Sequence, residues 1–143
     1  MAAKGKFIPK NPEKYKGDPT DITYRSSWEL KMMQWFDNNK HVISWGSETI
    51  RLDYKHPLDG LNHSYYPDFI VERKTENGIK TTMVEVKPFK QTRPPKRPKR
   101  MSANYKRECA IYAINMAKWR SAELFCESRG WDFMKVTEKE LGL

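Results

Sequence analysis

The sequence predicts an α/β fold with a mixed central sheet flanked by helices. Three observations lead to this class: an amphipathic helical pattern near residues 26–38, two strand-like segments joined by an Asn77-Gly78 turn, and a long helical pattern followed by a last strand. Helices and strands in this order bury their apolar faces as layers on a sheet. A chain of 143 residues can bury one core but is short for two.

The first 22 residues are rich in Lys, Pro, Gly and Asn and hold few large apolar side chains. We expect residues 1–22 to form a basic, extended N-terminal arm without packed elements. The rest of the chain, residues 23–143, is then expected to be a single domain.

The first helix is predicted from Ser26 to about Asn38. Trp28, Met32, Trp35 and Phe36 recur there at helical spacing and form one apolar stripe. Short strands and a turn at Pro57–Gly60 are expected next, and the Asn77-Gly78 turn makes the following two strands antiparallel neighbours. The predicted strands are 42–45, 48–54, 64–72, 81–87 and 131–136.

Residues 88–103 contain four prolines and are expected to form a basic loop, because proline interrupts helices and central strands. A long helix is predicted over residues 104–128, ended by Gly130. Thr137-Glu-Lys-Glu140 has the pattern of a capping box and predicts a terminal helical turn.

The net charge of +9 is concentrated in one segment, since nine Lys or Arg residues and no acid lie from Lys87 to Arg107. Such local positive charge is typical of a surface that binds nucleic acid phosphates. A solvated, disordered loop or a nuclear-import signal remains an alternative. The predicted DNA-binding residues are Lys90, Arg93, Lys96, Arg97, Lys99, Arg100, Lys106 and Arg107.

The chain shows no apolar run that could span a bilayer and no secretory signal at Met1-Ala-Ala-Lys-Gly-Lys, so we expect a cytoplasmic protein without a membrane partner. Its two cysteines agree with a reducing compartment. Cys109 and Cys126 would lie about 25 Å apart along one helix, which is too far for a disulfide.

The pattern that carries chemistry is Pro67-Asp68, seventeen positions ahead of Glu85-Val86-Lys87. Because strand side chains alternate, Glu85 and Lys87 should share a face while Val84 and Val86 enter the apolar layer opposite. Two carboxylates beside a lysine would form an oxygen site for Mg²⁺, with Mn²⁺ as an alternative, that activates water against a phosphate. The alternative for Glu85-Val86-Lys87 alone is an exposed strand face.

Taken together, the two halves resemble the PD-(D/E)XK nuclease superfamily, which implies a nuclease core and a DNA substrate. Glu29 has two interpretations, a capping-box residue of the first helix or a further metal ligand. Arg25-Ser26-x-x-Glu29 resembles the helix motif of the TnsA-like endonuclease branch, which implies the second. The predicted catalytic residues are Glu29, Asp68, Glu85 and Lys87, and the predicted metal ligands are Asp68, Glu85, Val86 and Glu29.

Further segments resemble the head-completion nucleases of T-even-type tailed phages. This resemblance implies an endonuclease acting on packaged DNA or DNA ends in the infected cell, associated with the virion, with head or portal and neck proteins as partners. A non-catalytic DNA-binding protein of the virion and a restriction or transposase-type endonuclease are the alternatives. The segments are 10–19, 24–29, 57–60, 66–69, 84–88 and 136–138.

The remaining polar residues are expected to be structural or exposed. His41, His56 and His63 show no metal-ligand spacing. Asn115 and Lys118 could touch a phosphate from the long helix, but a solvated helix face is the favoured interpretation.

Overall fold

A computed structural model describes residues 4–142 as three α-helices, eight strands and two short 3₁₀ helices. The strands are β1 (Gly5–Lys6), β2 (Thr23–Tyr24), β3 (Val42–Ser47), β4 (Leu52–Lys55), β5 (Asn62–Tyr65), β6 (Phe69–Thr75), β7 (Gly78–Val86) and β8 (Asp132–Val136). The helices are α1 (Ser27–Asn38), α2 (Ala103–Arg129) and α3 (Glu138–Leu141), and the 3₁₀ helices are Pro12–Lys14 and Phe89–Thr92.

The central sheet has the strand order β3-β6-β7-β8. Neighbours among β3, β6 and β7 are antiparallel, whereas β8 runs parallel to β7. Parallel neighbours need a crossover connection, which α2 supplies. The predicted mixed sheet with flanking helices is therefore confirmed, as is the hairpin at Asn77-Gly78.

Each face of the sheet is covered by one long helix. Met33 and Phe36 of α1 pack against a core that includes Val84 of β7. Trp119 of α2 belongs to the opposite core together with Met83. Adjacent residues of β7 thus serve different layers, as strand alternation requires. Trp35, predicted on the apolar stripe of α1, remains 47% exposed.

Side-chain and glycine caps explain why the helix limits follow the sequence closely. Ser26 Oγ accepts a hydrogen bond from Glu29 N at the start of α1, and Ser102 Oγ accepts one from Tyr105 N at the start of α2. Gly130 ends α2 in the left-handed conformation, with φ of 71°. Thr137 forms the predicted capping box with Glu140. Among the helices of residues 4–142, none is long and apolar enough to cross a membrane.

The strand predicted over residues 64–72 is two strands, β5 and β6, and β5 pairs with β4 outside the central sheet. Pro67 lies at the break, where it cannot donate a hydrogen bond to a strand ladder. The strand predicted over residues 48–54 is likewise shortened to Leu52–Lys55, because Glu48 adopts a left-handed φ of 53°. These two breaks place both Glu48 and Asp68 outside regular strands.

The expectation that residues 1–22 hold no packed element is wrong. In the described part, from residue 4 onward, β1 pairs with β2, and Phe7 and Ile22 are buried in the α1-side core. The Asp37 carboxylate accepts hydrogen bonds from the backbone N–H groups of Lys10 and Asn11, at 2.8 and 2.9 Å. Two well-placed apolar side chains are enough to dock a segment whose overall composition is polar.

The segment 88–103 is mostly irregular, as its prolines predict, but it contains the 3₁₀ helix Phe89–Thr92. Phe89 N donates to Glu138 Oε1 at 2.7 Å, and Lys139 Nζ lies 3.6 Å from the centroid of the Phe89 ring. Contacts with α3 therefore hold the start of this segment at the end of the sheet.

Candidate nuclease site

The strand register brings Asp68 and Glu85 opposite each other. Phe69 pairs with Val84, so Asp68, one residue before β6, faces Glu85 near the end of β7. Asp68 N donates to Glu85 Oε1 at 2.9 Å, and Val86 N donates to Asp68 Oδ2 at 2.8 Å. Each carboxylate thus holds the other strand's backbone with one oxygen. The second oxygens, Asp68 Oδ1 and Glu85 Oε2, have no hydrogen-bond partner among the described residues.

Burial makes this carboxylate pair electrostatically unfavourable. Burial, followed by the charge of Glu85, raises the pKa of Asp68 to about 8. Burial also raises the pKa of Glu85, which is 3% exposed. Tyr65 and Trp119 lie close to the Glu85 carboxylate and lower its pKa. The Tyr65 hydroxyl and Trp119 Nε1 nevertheless have no partner in standard hydrogen-bonding geometry. The pKa values of both carboxylates are therefore raised mainly by burial, which the charge of Lys87 offsets only in part.

Lys87 follows β7 directly and lies at the same end of the sheet. Its backbone N donates to Val136 O of β8 at 3.0 Å, and its charge lowers the pKa values of both Asp68 and Glu85. Val86, between Glu85 and Lys87, turns its side chain into the α1-side core. The only atom through which Val86 can bind a metal is therefore its carbonyl oxygen.

Glu29 lies in the first turn of α1, where its backbone N is capped by Ser26. The charge of Glu29 raises the pKa of Asp68, so the two carboxylates are near each other. Burial is also the main cause that raises the pKa of Glu29. Glu29 does not line the pocket into which Asp68 and Glu85 face. The bond from Glu29 N to Ser26 Oγ is the N-cap half of the predicted capping box, and Ser26 Oγ also donates to Glu29 Oε2 at 3.4 Å. A role of Glu29 as metal ligand remains a prediction.

The pocket above the carboxylates has a volume of about 360 Å³. Arg25 and Glu48 form an ion pair on its wall, and Glu48 N donates to Asp68 O at 3.1 Å. The left-handed φ of Glu48 turns the chain toward this pocket. The local sequence does not indicate this conformation, because the nearest glycine, Gly46, lies two positions earlier. The lining residues are Arg25, Glu48, Ser64, Tyr65, Tyr66, Asp68, Glu85, Lys87, Asn115 and Lys118.

The expectation that Asn115 and Lys118 lie on a solvated helix face is wrong. Asn115 is 6% exposed, and its amide makes no hydrogen bond to any other described residue. Burial, followed by the charge of Lys87, lowers the pKa of Lys118, whose Nζ lies 5.7 Å from the Tyr65 ring centroid. Asn115 precedes the buried Trp119 by one helical turn, so the two residues share a face of α2. This spacing in the sequence indicates that Asn115 faces the protein interior.

The eight predicted DNA-binding residues are all exposed, and none of them pairs with a carboxylate within residues 4–142. A groove of about 480 Å³ runs between the basic segment and α2, lined by side chains that include Arg93, Lys96 and Tyr112. Asn115 lines both this groove and the carboxylate pocket. The positive surface therefore continues into the candidate site.

The turn between β4 and β5 brings His56, Asp59 and His63 together, although no helical or Cys/His spacing indicates it. This group lies outside the residues that line the carboxylate pocket.

The fold and the site define an endonuclease: residues 39–138 match the family model of the TnsA-like endonuclease N-terminal domain, and the chain belongs to this family. Asp68, Glu85 and Lys87 all lie within the matched residues, whereas Glu29 precedes them. More particularly, the chain is 38% identical over 145 residues to the head completion nuclease of Enterobacteria phage T4. That similarity covers 99% of this chain and 95% of the T4 protein.

Proposed function

We propose that this chain is a divalent-metal-dependent DNA endonuclease that acts during phage head completion. The observation that carries the proposal is the pair Asp68 and Glu85, each with one oxygen bound to the neighbouring backbone and one oxygen free, beside Lys87. Perturbed carboxylates gathered in a pocket are typical of functional sites. Two carboxylates beside a lysine are suited to metal-assisted hydrolysis of a phosphodiester.

The donor set fits a hard divalent cation, because the atoms offered are carboxylate oxygens. Burial, followed by the charge of Glu85, raises the pKa of Asp68, and a cation bound at the two carboxylates would relieve that cost. Asp68, Glu85, the Val86 carbonyl and Glu29 are the proposed ligands, Mg²⁺ is the proposed ion, and Mn²⁺ is the alternative. When bound, the ion supplies Lewis-acid catalysis of hydrolysis.

The chain's own cations would hold the DNA phosphate. Lys87 is placed to neutralise negative charge on the phosphate beside the carboxylates. Lys118 offers a second positive charge from α2, and the unpartnered Asn115 amide offers hydrogen-bond donors to the same pocket. The exposed basic residues from Lys90 to Arg107 would bind the flanking backbone without reading sequence.

The place of action is proposed from the T4 relative, which is named for head completion. By this argument the substrate is phage DNA in the infected cell, and the partners are proteins of the head, portal or neck. A role on DNA ends is compatible with the absence of a recognisable sequence-reading module among the described elements.

A cleavage assay on linear and branched DNA tests the proposal. We expect cutting with Mg²⁺ or Mn²⁺, binding without appreciable cutting with Ca²⁺, and no cutting in chelator. Full activity in chelator would contradict metal dependence. A protein that binds DNA but cuts none of the substrates in any metal would favour the non-catalytic alternative.

Lys87→Ala and Asp68→Ala separate catalysis from binding. Both should lower the cleavage rate by at least about 100-fold, since each removes charge stabilisation from the reaction. Without metal, Asp68→Ala should bind DNA as tightly as the wild type or more tightly, whereas Lys87→Ala should bind more weakly. Lys74→Ala, an exposed lysine near the far end of β6, is the control and should cut normally. A folded Lys87→Ala protein that cuts at the wild-type rate excludes the assigned site.

A further inference from the structure

The turn between β4 and β5 holds a second group of metal-ligating side chains. His63 Nε2 lies 2.7 Å from Asp59 Oδ2, and His56 Nδ1 lies 3.8 Å from Asp59 Oδ1. The centroids of the two imidazole rings are 4.4 Å apart. One ligand atom from each of the three residues lies within 4.8 Å of the others.

Backbone N–H groups hold two of the three side chains in this arrangement. Leu58 N donates to His56 Nδ1 at 3.2 Å, and Leu61 N donates to Asp59 Oδ1 at 2.9 Å. The turn itself is closed by His56 N, which donates to Leu61 O at 2.9 Å, and by Gly60 N, which donates to His56 O at 2.8 Å. Gly60 closes the turn with a φ of 71°, which a side chain would disfavour. The Tyr54 ring contacts both imidazoles, with centroid distances of 6.1 and 6.0 Å. The group is therefore formed before any ligand binds.

We propose that His56, Asp59 and His63 bind a divalent transition-metal ion of the Zn²⁺ type. Ligand bonds of roughly 2.0–2.1 Å in a tetrahedron place ligand atoms about 3.3 Å apart. The 2.7 Å distance is to Asp59 Oδ2 and the 3.8 Å distance is to Asp59 Oδ1, and one ligand atom from each residue lies within 4.8 Å of the others, so the side chains must close by up to about 1.5 Å to bind one ion. The leading alternative is a His63–Asp59 hydrogen bond that only stabilises the turn.

The donor set distinguishes this ion from the one proposed in the nuclease site. Two imidazole nitrogens and one carboxylate favour Zn²⁺, Co²⁺ or Ni²⁺, whereas Mg²⁺ prefers oxygen ligands in an octahedron. The His63 side chain is 39% exposed, which leaves solvent access for a fourth ligand. The proposal rests on the turn alone and does not depend on nuclease activity.

An ion at this position would cross-link the two ends of the turn. His63 belongs to β5, and the next three residues, Ser64, Tyr65 and Tyr66, line the nuclease pocket. The ion would therefore stabilise the edge of that pocket and contribute no reacting group to it.

Histidine ring ¹⁵N NMR of the full, untagged chain tests the proposal, because the chain contains three histidines. The experiment uses Asp68→Asn/Glu85→Gln protein, so that added Zn²⁺ cannot occupy the nuclease carboxylates. We expect one equivalent of Zn²⁺ to shift the ring nitrogens of His56 and His63 and to leave His41, the internal control, unchanged. Calorimetry should give one site, and His63→Gln in the same background should weaken it at least tenfold.

Other results would contradict a zinc site in this turn. If Zn²⁺ shifts none of the histidines, or shifts His41 as much as His56 and His63, no site exists in the turn. If His63→Gln binds Zn²⁺ as tightly as its parent, the ion is held elsewhere. Circular dichroism of His63→Gln without metal shows whether the fold survives, and His63→Cys, which restores a zinc-ligating atom, should recover affinity.

Discussion

At the scale of one residue, the ionised carboxylate of Asp68 lowers the stability of the folded protein. This carboxylate is buried beside Glu85, and its charge is balanced only in part by Lys87. The folded protein therefore favours the protonated form of Asp68, whereas the unfolded chain releases that proton near the ordinary pKa of an aspartate. Ionisation of this group costs free energy in the folded state alone.

This difference predicts a pH-dependent effect of Asp68→Asn on metal-free protein. Since the folded pKa is raised from 3.8 to about 8, the folded state binds more protons across that window, and the contribution of Asp68 to stability falls as pH rises through it. The substituted asparagine keeps an oxygen acceptor for Val86 N but cannot ionise. We expect Asp68→Asn to raise the Tm in chelator at pH 8 by several degrees, and to have a clearly smaller effect at pH 5, where only the first part of this window has been crossed.

Thermal unfolding at both pH values, with and without Mg²⁺, is the measurement. Mg²⁺ should raise the Tm of the wild type at pH 8 more than that of Asp68→Asn, because it binds the folded site. Glu76→Gln, a change of an exposed carboxylate in the hairpin turn, is the control, and its Tm should follow that of the wild type at both pH values. Equal Tm values for Asp68→Asn and wild type at pH 8 would contradict the unfavourable charge of Asp68.

At the scale of an element, α2 combines packing with a place in the site. Trp119, Ala122 and Cys126 seat the helix on the sheet. One turn before Trp119, the same face presents Asn115 to the pocket, and Lys118 lies beside it. The helix orientation is therefore set by the apolar core, and the polar residues are positioned as a consequence.

Lys118→Ala tests whether α2 contributes to catalysis. We expect a loss of about 10- to 100-fold in kcat/KM for DNA cleavage, since a half-buried cation that lines the proposed active-site pocket is removed. Arg120→Ala, an exposed residue of the same helix paired with Glu123, is the matched control. Steady-state kinetics in saturating Mg²⁺ decide the point, and a Lys118→Ala enzyme with wild-type kcat/KM would place Lys118 outside the machinery.

The basic segment makes a different kind of prediction, because its cations are exposed and unpaired. Replacing Lys96, Arg97, Lys99 and Arg100 by Ala should weaken DNA binding and reduce the slope of log K against log salt by about 0.9 for each lost phosphate contact. The affinity loss should be similar for unrelated DNA sequences.

A matched control removes the same charge elsewhere. Lys31, Lys40, Lys55 and Lys74 are exposed lysines outside the segment, and their joint replacement lowers the net charge equally. Binding titrations from low to moderate salt compare the two proteins. If both quadruple variants bind alike, net charge alone attracts the DNA and the segment has no special part.

At the scale of the whole molecule, the N-terminal residues are part of the core. Phe7 is 8% exposed and its ring lies 5.9 Å from that of Trp45, edge to face. Ile8, the next residue, is 86% exposed. Phe7 and Ile8 are both apolar, but only Phe7 is buried. Comparing substitutions at the two positions therefore tests the effect of burial.

Phe7→Ala should therefore destabilise the protein by about 3 kcal/mol, as truncation of a buried aromatic side chain does. For a domain of this size that corresponds to a fall in Tm of roughly 5–10 °C. Ile8→Ala should change the Tm very little. Urea and thermal unfolding of both variants are the test, and equal stabilities would mean that Phe7 contributes no more to stability than the exposed Ile8.

The sequence alone determines the local features of this protein. Helical spacing and caps specify the limits of α1 and α2, the Asn77-Gly78 turn specifies the β6–β7 hairpin, and strand alternation puts Val84 opposite Glu85. The proximity of Asp68, Glu85 and Lys87 follows from that hairpin and can be predicted from the residues themselves. These features depend on neighbours within a turn or a hairpin, so a short stretch of sequence contains their physical causes.

Tertiary structure alone decides which distant residues meet. The burial of Phe7, the left-handed Glu48 against Asp68 and the unpartnered Asn115 in the pocket all depend on how the elements pack. A polar residue on a helix has the same local pattern whether its face meets water or a site. The difference arises from the apolar residues that seat the element, and their combined effect appears only when the whole core is assembled.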